Sequence, residues 1–347
     1  LRLCGEKQFI KEIFRMSEPF KPAWWCRGPH LQTLWPYLFR RTPRVELRRE
    51  RLELPDGDFL DLDWTLNNSG PIVIVLHGLE GSSDSKYARG LLKAVHEHGW
   101  RGVVMHFRGC SGEPNRLPRS YHSGETTDLA YVVNLLRQRE PKAPLFIVGF
   151  SLGGNVLLKW LGETATETSL SRGPRLDPIG ETGANALIKA AVAVSVPFLL
   201  GESAKRLDQG FSRVYQWGLM HSMRNAVAEK RRRMKLPLKI QDLSKLKTFW
   251  DFDEHITAPL HGFAGADDYY ARSSSRKYLK GIQVPTLIIQ SRDDPFMTDA
   301  VIPQDGELSS AIRLELYDHG GHVGFVAGRH LWNPDYWLEG KILDWCK

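Results

Sequence analysis

The sequence has no apolar run that approaches the roughly 20 residues of a transmembrane helix. It also lacks a signal-peptide pattern, because charged residues interrupt the apolar ones throughout residues 1–15. Cysteines are few: Cys4, Cys26, Cys110 and Cys346 lie far apart and form no Cys-x-x-Cys pair. This spacing indicates free thiols in a reducing compartment rather than a disulfide framework. We therefore expect a cytoplasmic protein.

Signatures of metal and cofactor binding are absent from the sequence as well. There is no His-Glu-x-x-His motif, phosphate-binding loop or dinucleotide fingerprint, and we expect neither a metal nor a cofactor. No zinc finger or RNA-binding signature is present, which argues against a nucleic-acid partner. The net charge of +7 is concentrated in residues 40–51 and 230–247. We interpret both runs as solvated faces; the alternative is weak attraction to anionic lipid headgroups or acidic substrates, a peripheral membrane contact at most.

Short, continuously apolar stretches recur along the chain and alternate with helical patterns. Such stretches are typical of strands buried on both faces of a parallel sheet. Two alternating segments, 51–55 and 59–64, flank Asp56-Gly57-Asp58 and predict a β-hairpin. The chain is therefore expected to have an α/β fold, with a mostly parallel central sheet and helices on both faces. The predicted parallel strands are 72–76, 102–106, 145–149, 190–195, 286–291 and 312–317, and the predicted helices are 86–98, 126–139 and 334–345.

The length of 347 residues accommodates one large domain. Because Met16 is the first methionine, we expect residues 1–15 to be upstream sequence and 16–347 to form a single domain. Residues 17–45 are rich in Pro, Trp and Arg and are expected to wrap the domain as a loop and a short helix.

One interval breaks the alternation of strands and helices. About 90 residues without a strand pattern separate the strands 190–195 and 286–291, where a crossover needs only about a dozen. We interpret residues 198–281 as a helical lid over the carboxyl edge of the sheet, where ligands bind in open α/β folds. Its longest predicted helix is 211–235. Residues 162–186, rich in Gly, Thr and Ser, are expected to form a long surface loop.

The pentapeptide Gly149-Phe150-Ser151-Leu152-Gly153 lies between a predicted strand and a predicted helix. A strand, a turn of small residues and a helix are the parts of a nucleophile elbow, in which the serine occupies the tip of a strained turn. The residues two before and two after the serine must be small, because strand and helix approach closely there. Ser151 is therefore the candidate nucleophile.

A serine hydroxyl needs an imidazole to take its proton and a carboxylate to orient that imidazole. Two loops that follow predicted strands supply these groups in the chain order Ser, Asp, His that is typical of α/β-hydrolases. The first loop contains Asp293 and Asp294; we favour Asp294, which precedes Pro295, and keep Asp293 as the alternative acid. The second contains His319 and His322, of which we favour His322 because Gly320-Gly321 gives its backbone freedom to reach the serine.

Acyl transfer also needs hydrogen-bond donors for a developing oxyanion. The first predicted parallel strand ends in Leu76-His77-Gly78-Leu79, where such folds form this site. We predict that the backbone amides of Leu79 and Leu152 are the two donors. His77 is expected to brace the loop, and Arg108 and His122 are expected to shape the border of the site, with a substrate contact as the alternative.

Several motifs, spread over residues 28–325, are long enough to be specific to a family. They are Gly28-Pro-His-Leu-Gln-Thr33, His77-Gly-Leu-Glu-Gly-Ser82, Val104-Met-His-Phe-Arg-Gly-Cys-Ser-Gly-Glu-Pro-Asn-Arg116, Tyr121-His-Ser-Gly-Glu125, Gly149-x-Ser-Leu-Gly-Gly-Asn155, Gly210-Phe-Ser-Arg-Val-Tyr215, Asp293-Asp-Pro-Phe-Met297 and His319-Gly-Gly-His-Val-Gly-Phe325. On these motifs the sequence closely resembles the YheT-like branch of the α/β-hydrolase superfamily. The resemblance implies a serine hydrolase of carboxylic esters, with Ser151, one Asp of the pair 293–294 and His322 as its triad. Eukaryotic relatives in this group act on monoacylglycerols and phospholipids, which suggests a lipid ester.

The sequence thus predicts a serine esterase that acts on a small-molecule ester through an acyl-enzyme. Two alternatives stay open at this point. One is an acyltransferase on the same fold, in which an alcohol takes the place of water. The other is a non-catalytic module that binds lipids or other ligands.

Overall fold

A computed structural model describes residues 19–67, 69–170 and 188–347. These residues form an eight-stranded sheet in the order β1-β2-β4-β3-β5-β6-β7-β8. The hairpin strands β1 and β2 are antiparallel to each other, β2 is antiparallel to β4, and all other neighbours are parallel. The α/β fold with a mostly parallel sheet is therefore confirmed. The strands are β1 (Leu47–Glu53), β2 (Phe59–Thr65), β3 (Ile72–Leu76), β4 (Arg101–Met105), β5 (Leu145–Phe150), β6 (Ile188–Val194), β7 (Thr286–Ser291) and β8 (Ile312–Tyr317).

Burial explains why the central strands are continuously apolar. All five residues of β3 and all six residues of β5 are buried, because helices cover both faces of the sheet. A second, two-stranded sheet consists of β9 (Val326–His330) and β10 (Asn333–Tyr336). Among the described residues, no helix is both long enough and apolar enough to cross a bilayer. The helices are α1 (Pro29–Phe39), α2 (Lys86–Glu97), α3 (Thr127–Arg139), α4 (Leu152–Leu170), α5 (Leu200–Leu207), α6 (Ser212–Arg233), α7 (Phe249–Phe252), α8 (Ala258–His261), α9 (Ala266–Ser273) and α10 (Trp337–Cys346).

The interval between β6 and β7 is helical and contains no strand among its residues, all of which are described. Helices α5 to α8 and the segments between them enclose an apolar cluster, which includes Met220, Phe249 and Ile256. The interval contacts the loop after β7, since the Ser212 hydroxyl donates to the Pro295 carbonyl oxygen at 2.6 Å. These helices therefore lie over the carboxyl edge of the parallel strands.

The expected surface loop at 162–186 is wrong for its first part, because α4 continues to Leu170. Gly162 is a packing residue there, since a Cβ at this position would overlap the Tyr278 carbonyl group. An ion pair between Lys159 and Glu163, four residues apart, further supports the helix. The rest of the expected loop, 171–186, lies outside the described residues.

The chain end also differs from the expectation, since the predicted helix 334–345 starts only at Trp337. Residues Asn333–Tyr336 form β10 instead, paired with β9. The Arg40 guanidinium lies 3.8 Å from the centre of the Tyr336 ring and 2.5 Å from the Glu339 carboxylate. This buried pairing ties the junction of β10 and α10 to the residue that follows α1.

Most Lys and Arg side chains of the two basic runs are exposed, as expected, but each run also contains one buried cation. In the first run, Arg40 is buried and Arg51 pairs with the buried Asp61 across the β1–β2 hairpin. In the second, Lys230 is buried and donates to Asn115 at 2.7 Å. Burial lowers the pKa of the Lys230 ammonium to about 8. Arg40 and Lys230 therefore hold elements together rather than facing solvent.

Candidate active site

The predicted elbow is a tight turn between β5 and α4. Ser151 has a φ of +51°, a conformation that is strained for a residue with a side chain. The turn is fixed because the Ser151 amide donates to the Val194 carbonyl oxygen on the neighbouring strand at 2.8 Å. A Cβ on Gly153 would lie 2.5 Å from the Leu76 carbonyl oxygen, and one on Gly149 would lie 2.5 Å from the Gly153 carbonyl oxygen. The close approach expected from the sequence is therefore present.

This close approach gives a prediction on stability. Gly153→Ala should lower the free energy of unfolding by about 3 kcal/mol, because the new methyl group overlaps backbone atoms that cannot move independently. The matched control is Gly218→Ala in the exposed part of α6, where a Cβ meets nothing within 4 Å. That change should instead stabilise the protein by about 0.5–1 kcal/mol. Urea denaturation of both variants measures the difference, and equal stabilities would contradict the packing at the elbow.

The structure brings Ser151, His322 and Asp294 together from three separate loops. His322 Nε2 lies 3.0 Å from Ser151 Oγ, and His322 Nδ1 lies 2.8 Å from Asp294 Oδ2. An imidazole protonated on Nδ1 donates to Asp294 and is free to accept the serine proton at Nε2. The Asp294 side chain is only 1% exposed. A buried carboxylate on one imidazole nitrogen and a hydroxyl on the other is the arrangement that activates a serine.

Asp293, the alternative acid, does not contact His322. Its Oδ1 accepts the Gly321 amide at 2.9 Å, and its Oδ2 lies 3.3 Å from Nδ1 of the exposed His319. Asp293 therefore bonds locally and holds the loop that carries His322. The geometry favours Asp294 as the residue that orients the imidazole.

Three further groups hold the histidine loop and were missed from the sequence. The His322 amide donates to the Thr33 hydroxyl at 2.9 Å, which connects the loop to α1. The Phe296 ring stacks on the imidazole with 3.9 Å between ring centres. The Val323 amide donates to the Ser195 hydroxyl at 3.0 Å. Together they restrict both the position and the plane of the His322 ring.

Gln32 reinforces the same connection. Its amide group is buried and spans to Val326, donating to the carbonyl oxygen at 3.0 Å and accepting the amide proton at 2.7 Å. Thr33 and Gln32 belong to the motif 28–33, which the sequence marked only as family-specific. The motif was therefore the only indication in the sequence that Gln32 and Thr33, far from the nucleophile, support the histidine loop.

Backbone amides of the loop after β3 differ in whether they have a hydrogen-bond acceptor. The Gly78 amide donates to the Tyr87 hydroxyl at 2.8 Å, and the Glu80 amide donates to the Tyr121 hydroxyl at 2.9 Å. The amide of Leu79, between them, donates to no other described residue, and the same holds for Leu152 at the start of α4. Both leucines line the cavity that contains Ser151. Two tyrosines thus engage the amides on either side of Leu79 and leave the Leu79 amide without an acceptor among the described residues.

His77 braces this loop as expected. Its Nδ1 lies 2.7 Å from the Gly78 carbonyl oxygen, and its Nε2 accepts the Phe107 amide at 3.1 Å. Burial lowers the pKa of the His77 imidazole to about 3, so the ring is neutral at physiological pH. Burial also raises the pKa of the Glu80 carboxyl, which accepts the Tyr121 hydroxyl proton at 2.8 Å. Neither group lies within hydrogen-bonding distance of Ser151 or His322.

Arg108 shapes the border of the site. It donates two hydrogen bonds to Asp128, at 2.7 and 2.8 Å, and a third to Asp58 at 3.0 Å. With its guanidinium engaged in this way, Arg108 joins the hairpin loop to α3. His122 is enclosed by aromatic rings, among them His261 at 4.7 Å, and burial lowers the pKa of its imidazole to about 3.

Ser151 and His322 open into a cavity of about 980 Å³ between the sheet and helices α5 to α9. A volume of this size holds a ligand at the upper end of the range that protein pockets usually accept. Most of its wall is apolar, and the helical interval contributes a large part of it. The wall includes Leu200, Leu207, Met223, Val227, Phe249, Phe252, Ile256 and Leu260.

Several known proteins are similar to this chain in sequence. The chain is 43% identical to YheT of Escherichia coli (strain K12), over 96% of this chain and 94% of that protein. It is 28% identical to human phospholipase ABHD3, over 90% of this chain and 75% of that protein. It is 30% identical to monoacylglycerol lipase of Saccharomyces cerevisiae, over 81% of this chain and 60% of that protein.

A solved structure of an esterase from Pyrococcus furiosus has the same fold. It superposes with a TM-score of 0.51 at 18% identity, and the match covers 80% of this chain and 83% of that chain. The family described as alpha/beta hydrolase fold matches residues 71–328, which include β3 to β8 and the loops with Ser151, Asp294 and His322. This chain therefore belongs to the α/β-hydrolase family, in its YheT-like branch.

Proposed function

We propose that this chain is a carboxylic ester hydrolase that works through a serine acyl-enzyme. One observation carries the proposal: the hydrogen-bonded series from Asp294 through His322 to Ser151, at 2.8 and 3.0 Å, at the floor of an apolar cavity. The named activities of two relatives, a phospholipase and a monoacylglycerol lipase, support the same reaction class.

In the first half of the reaction, Ser151 Oγ attacks the ester carbonyl carbon. The hydroxyl proton moves to His322 Nε2, a bond forms between Oγ and carbon, and the carbonyl electron pair moves onto its oxygen. The Leu79 and Leu152 amides donate to this oxyanion. Asp294 stabilises the imidazolium that has formed. The tetrahedral intermediate then collapses, and the leaving alkoxide takes the proton from His322 Nε2 to depart as an alcohol.

In the second half, water takes the position that the alcohol has left. His322 Nε2 accepts a proton from this water while its oxygen bonds to the acyl carbon. Collapse of the second intermediate returns the proton to Ser151 Oγ and releases a carboxylic acid. Each group therefore ends in the protonation state in which it began.

The cavity wall supports lipid esters as the substrate subclass. Burial of apolar surface contributes roughly 25 cal/mol per Å², so an acyl chain gains affinity from walls such as Met223, Phe252 and Ile256. A small polar ester would leave most of that surface in contact with water. We therefore expect activity to rise with acyl length until the chain fills the cavity.

A labelling and turnover experiment tests the function. The purified chain is treated with a fluorophosphonate, and the modified peptide is located by mass spectrometry. We expect a single adduct on Ser151, together with hydrolysis of p-nitrophenyl esters of increasing acyl length to the free acid. A folded chain that neither reacts with the fluorophosphonate nor hydrolyses any of the esters would overturn the proposal.

Tyr121 offers a prediction on the oxyanion loop. Tyr121→Phe removes the acceptor of the Glu80 amide and the donor to the Glu80 carboxylate, so the position of the Leu79 amide is less restricted. We expect kcat to fall roughly tenfold with little change in KM, a fraction of the 10²–10³ that loss of an oxyanion donor costs.

Tyr131→Phe is the matched control for this change. Tyr131 lies on α3, and its hydroxyl donates to the Glu53 carbonyl oxygen, away from the cavity. Its removal should leave kcat within about twofold. An unchanged kcat in Tyr121→Phe, or an increase in KM alone, would show that the Tyr121 hydroxyl does not position the loop.

A further inference from the structure

Two helices at the opening of the cavity carry large apolar side chains that face solvent. On α1, Tyr37, Leu38 and Phe39 are 74%, 55% and 62% exposed. Trp217 on α6 is 69% exposed. A soluble protein rarely leaves so many aromatic rings exposed on neighbouring helices. We call this set, completed by two further exposed residues, the rim; it consists of Tyr37, Leu38, Phe39, Phe211, Val214 and Trp217.

Part of the rim borders the cavity of the candidate active site. Tyr37, Val214 and Trp217 are exposed to solvent and also line the cavity that contains Ser151. The two helices are joined through His30 of α1, whose ring centre lies 4.4 Å from that of Phe211. A molecule that contacts the rim therefore lies next to the cavity opening.

The two sequence segments that carry the rim are basic, although Asp84 and Glu229 also line the cavity. Residues 19–45 contain five Lys or Arg and no Asp or Glu, and residues 209–228 contain two Arg and no Asp or Glu. Arg40 is the paired exception, bound to Glu339. Four of the other arginines are exposed and form no ion pair among the described residues. These are Arg27, Arg41, Arg44 and Arg213.

We propose that the rim docks on an anionic lipid bilayer. Aromatic and aliphatic side chains insert into the boundary between headgroups and acyl chains, while the unpaired arginines contact the headgroup phosphates. A bilayer fits these observations better than a protein partner, because the surface combines exposed aromatics, unpaired cations and an opening into an apolar cavity.

Docking in this way would let a lipid ester pass from the bilayer into the cavity without crossing water. This consequence rests on the proposed ester hydrolase function, whereas binding to the bilayer does not. Turnover of a water-soluble short-chain ester by the wild-type chain tests the hydrolase separately. The two proposals can therefore fail independently.

Sedimentation with vesicles tests the docking. The full chain carrying Ser151→Ala, which cannot consume the lipid, is mixed with phosphatidylcholine vesicles that contain about one third phosphatidylglycerol. Adding Leu38→Glu and Phe39→Glu should weaken partitioning at least tenfold, because two inserted apolar groups become anions. The control is Leu66→Glu, a leucine of similar exposure (47%) that follows β2 at the opposite, amino edge of the parallel strands. It should partition like its parent.

A second pair of variants tests the electrostatic part. Arg41→Glu with Arg213→Glu should weaken binding to the anionic vesicles about tenfold or more, and 0.5 M salt should do the same to the parent. Lys142→Glu, an exposed cation before β5 at the amino edge, should change binding little. On vesicles of phosphatidylcholine alone, neither the paired arginine substitutions nor 0.5 M salt should weaken binding as much.

Two results would overturn the proposal. One is that the parent does not bind anionic vesicles, or that the rim variants bind as well as Leu66→Glu. The other is that the parent forms a dimer in the absence of lipid and that Leu38→Glu with Phe39→Glu dissociates it while vesicle binding is absent. The rim would then be an interface between two copies of this chain.

Discussion

Replacing Ser151 by alanine should lower the rate of ester hydrolysis by about 10⁵- to 10⁶-fold and abolish labelling by a fluorophosphonate. The loss is large because the reaction as proposed makes its first covalent bond at Ser151 Oγ. No other described hydroxyl lies within hydrogen-bonding distance of His322 Nε2. Stability should hardly change, since alanine and serine experience similar strain at a φ of +51° and the hydroxyl contacts only His322.

Ser203→Ala is the matched control for the nucleophile. Ser203 lines the same cavity, and its buried hydroxyl has no hydrogen-bond partner among the described residues. Its removal should leave the rate within a few-fold and labelling intact. If Ser151→Ala retained more than a tenth of the wild-type rate, hydrolysis would proceed by direct attack of water, and the acyl-enzyme would have to be abandoned.

The central strands were predictable because burial on both faces leaves little choice of residue. The predicted strands 72–76, 286–291 and 312–317 have the observed boundaries, and those of β4 and β5 differ by one residue. Their carboxyl ends meet at one edge of a parallel sheet. The loops that follow them therefore converge, which is why three residues far apart in sequence could be assigned to one site.

The supporting contacts could not be predicted, because they depend on approaches between distant segments. Thr33 and His322 are 289 positions apart, and nothing in the local pattern around either indicates the bond between them. The extension of α4 into the predicted loop 162–186 likewise depends on packing between distant segments. Gly162 in its last turns is unfavourable for a helix by itself, but it allows close packing against Tyr278.

The two tyrosine hydroxyls that bind the loop after β3 are also contacts that the sequence could not predict. The sequence placed the loop at the end of β3 and named Leu79, but it gave no reason why that amide, rather than Gly78 or Glu80, should be free. The structure supplies one, since Tyr87 and Tyr121 occupy the two neighbouring amides. The selection of one donor depends on side chains 9 and 41 residues away.

The second large effect distinguishes the two neighbouring acids. Asp294→Asn should lower kcat about 10⁴-fold, because the Asn side chain can donate a proton to His322 Nδ1. The imidazole would then carry its own proton on Nε2, where it cannot accept one from Ser151. The fold should persist, since Asn still offers an oxygen to the Phe296 amide that now donates to Asp294 Oδ1.

Asp293→Asn is the control that the chain itself provides. Its amide oxygen can still accept the Gly321 amide proton, and its other partner, His319, is exposed. We expect kcat to fall less than tenfold. Steady-state kinetics on one soluble ester, with circular dichroism to verify folding, compares the two variants. A larger loss in Asp293→Asn than in Asp294→Asn would assign the orienting role to Asp293, and it would require the loop to rearrange during turnover, because Asp293 does not contact the imidazole of His322.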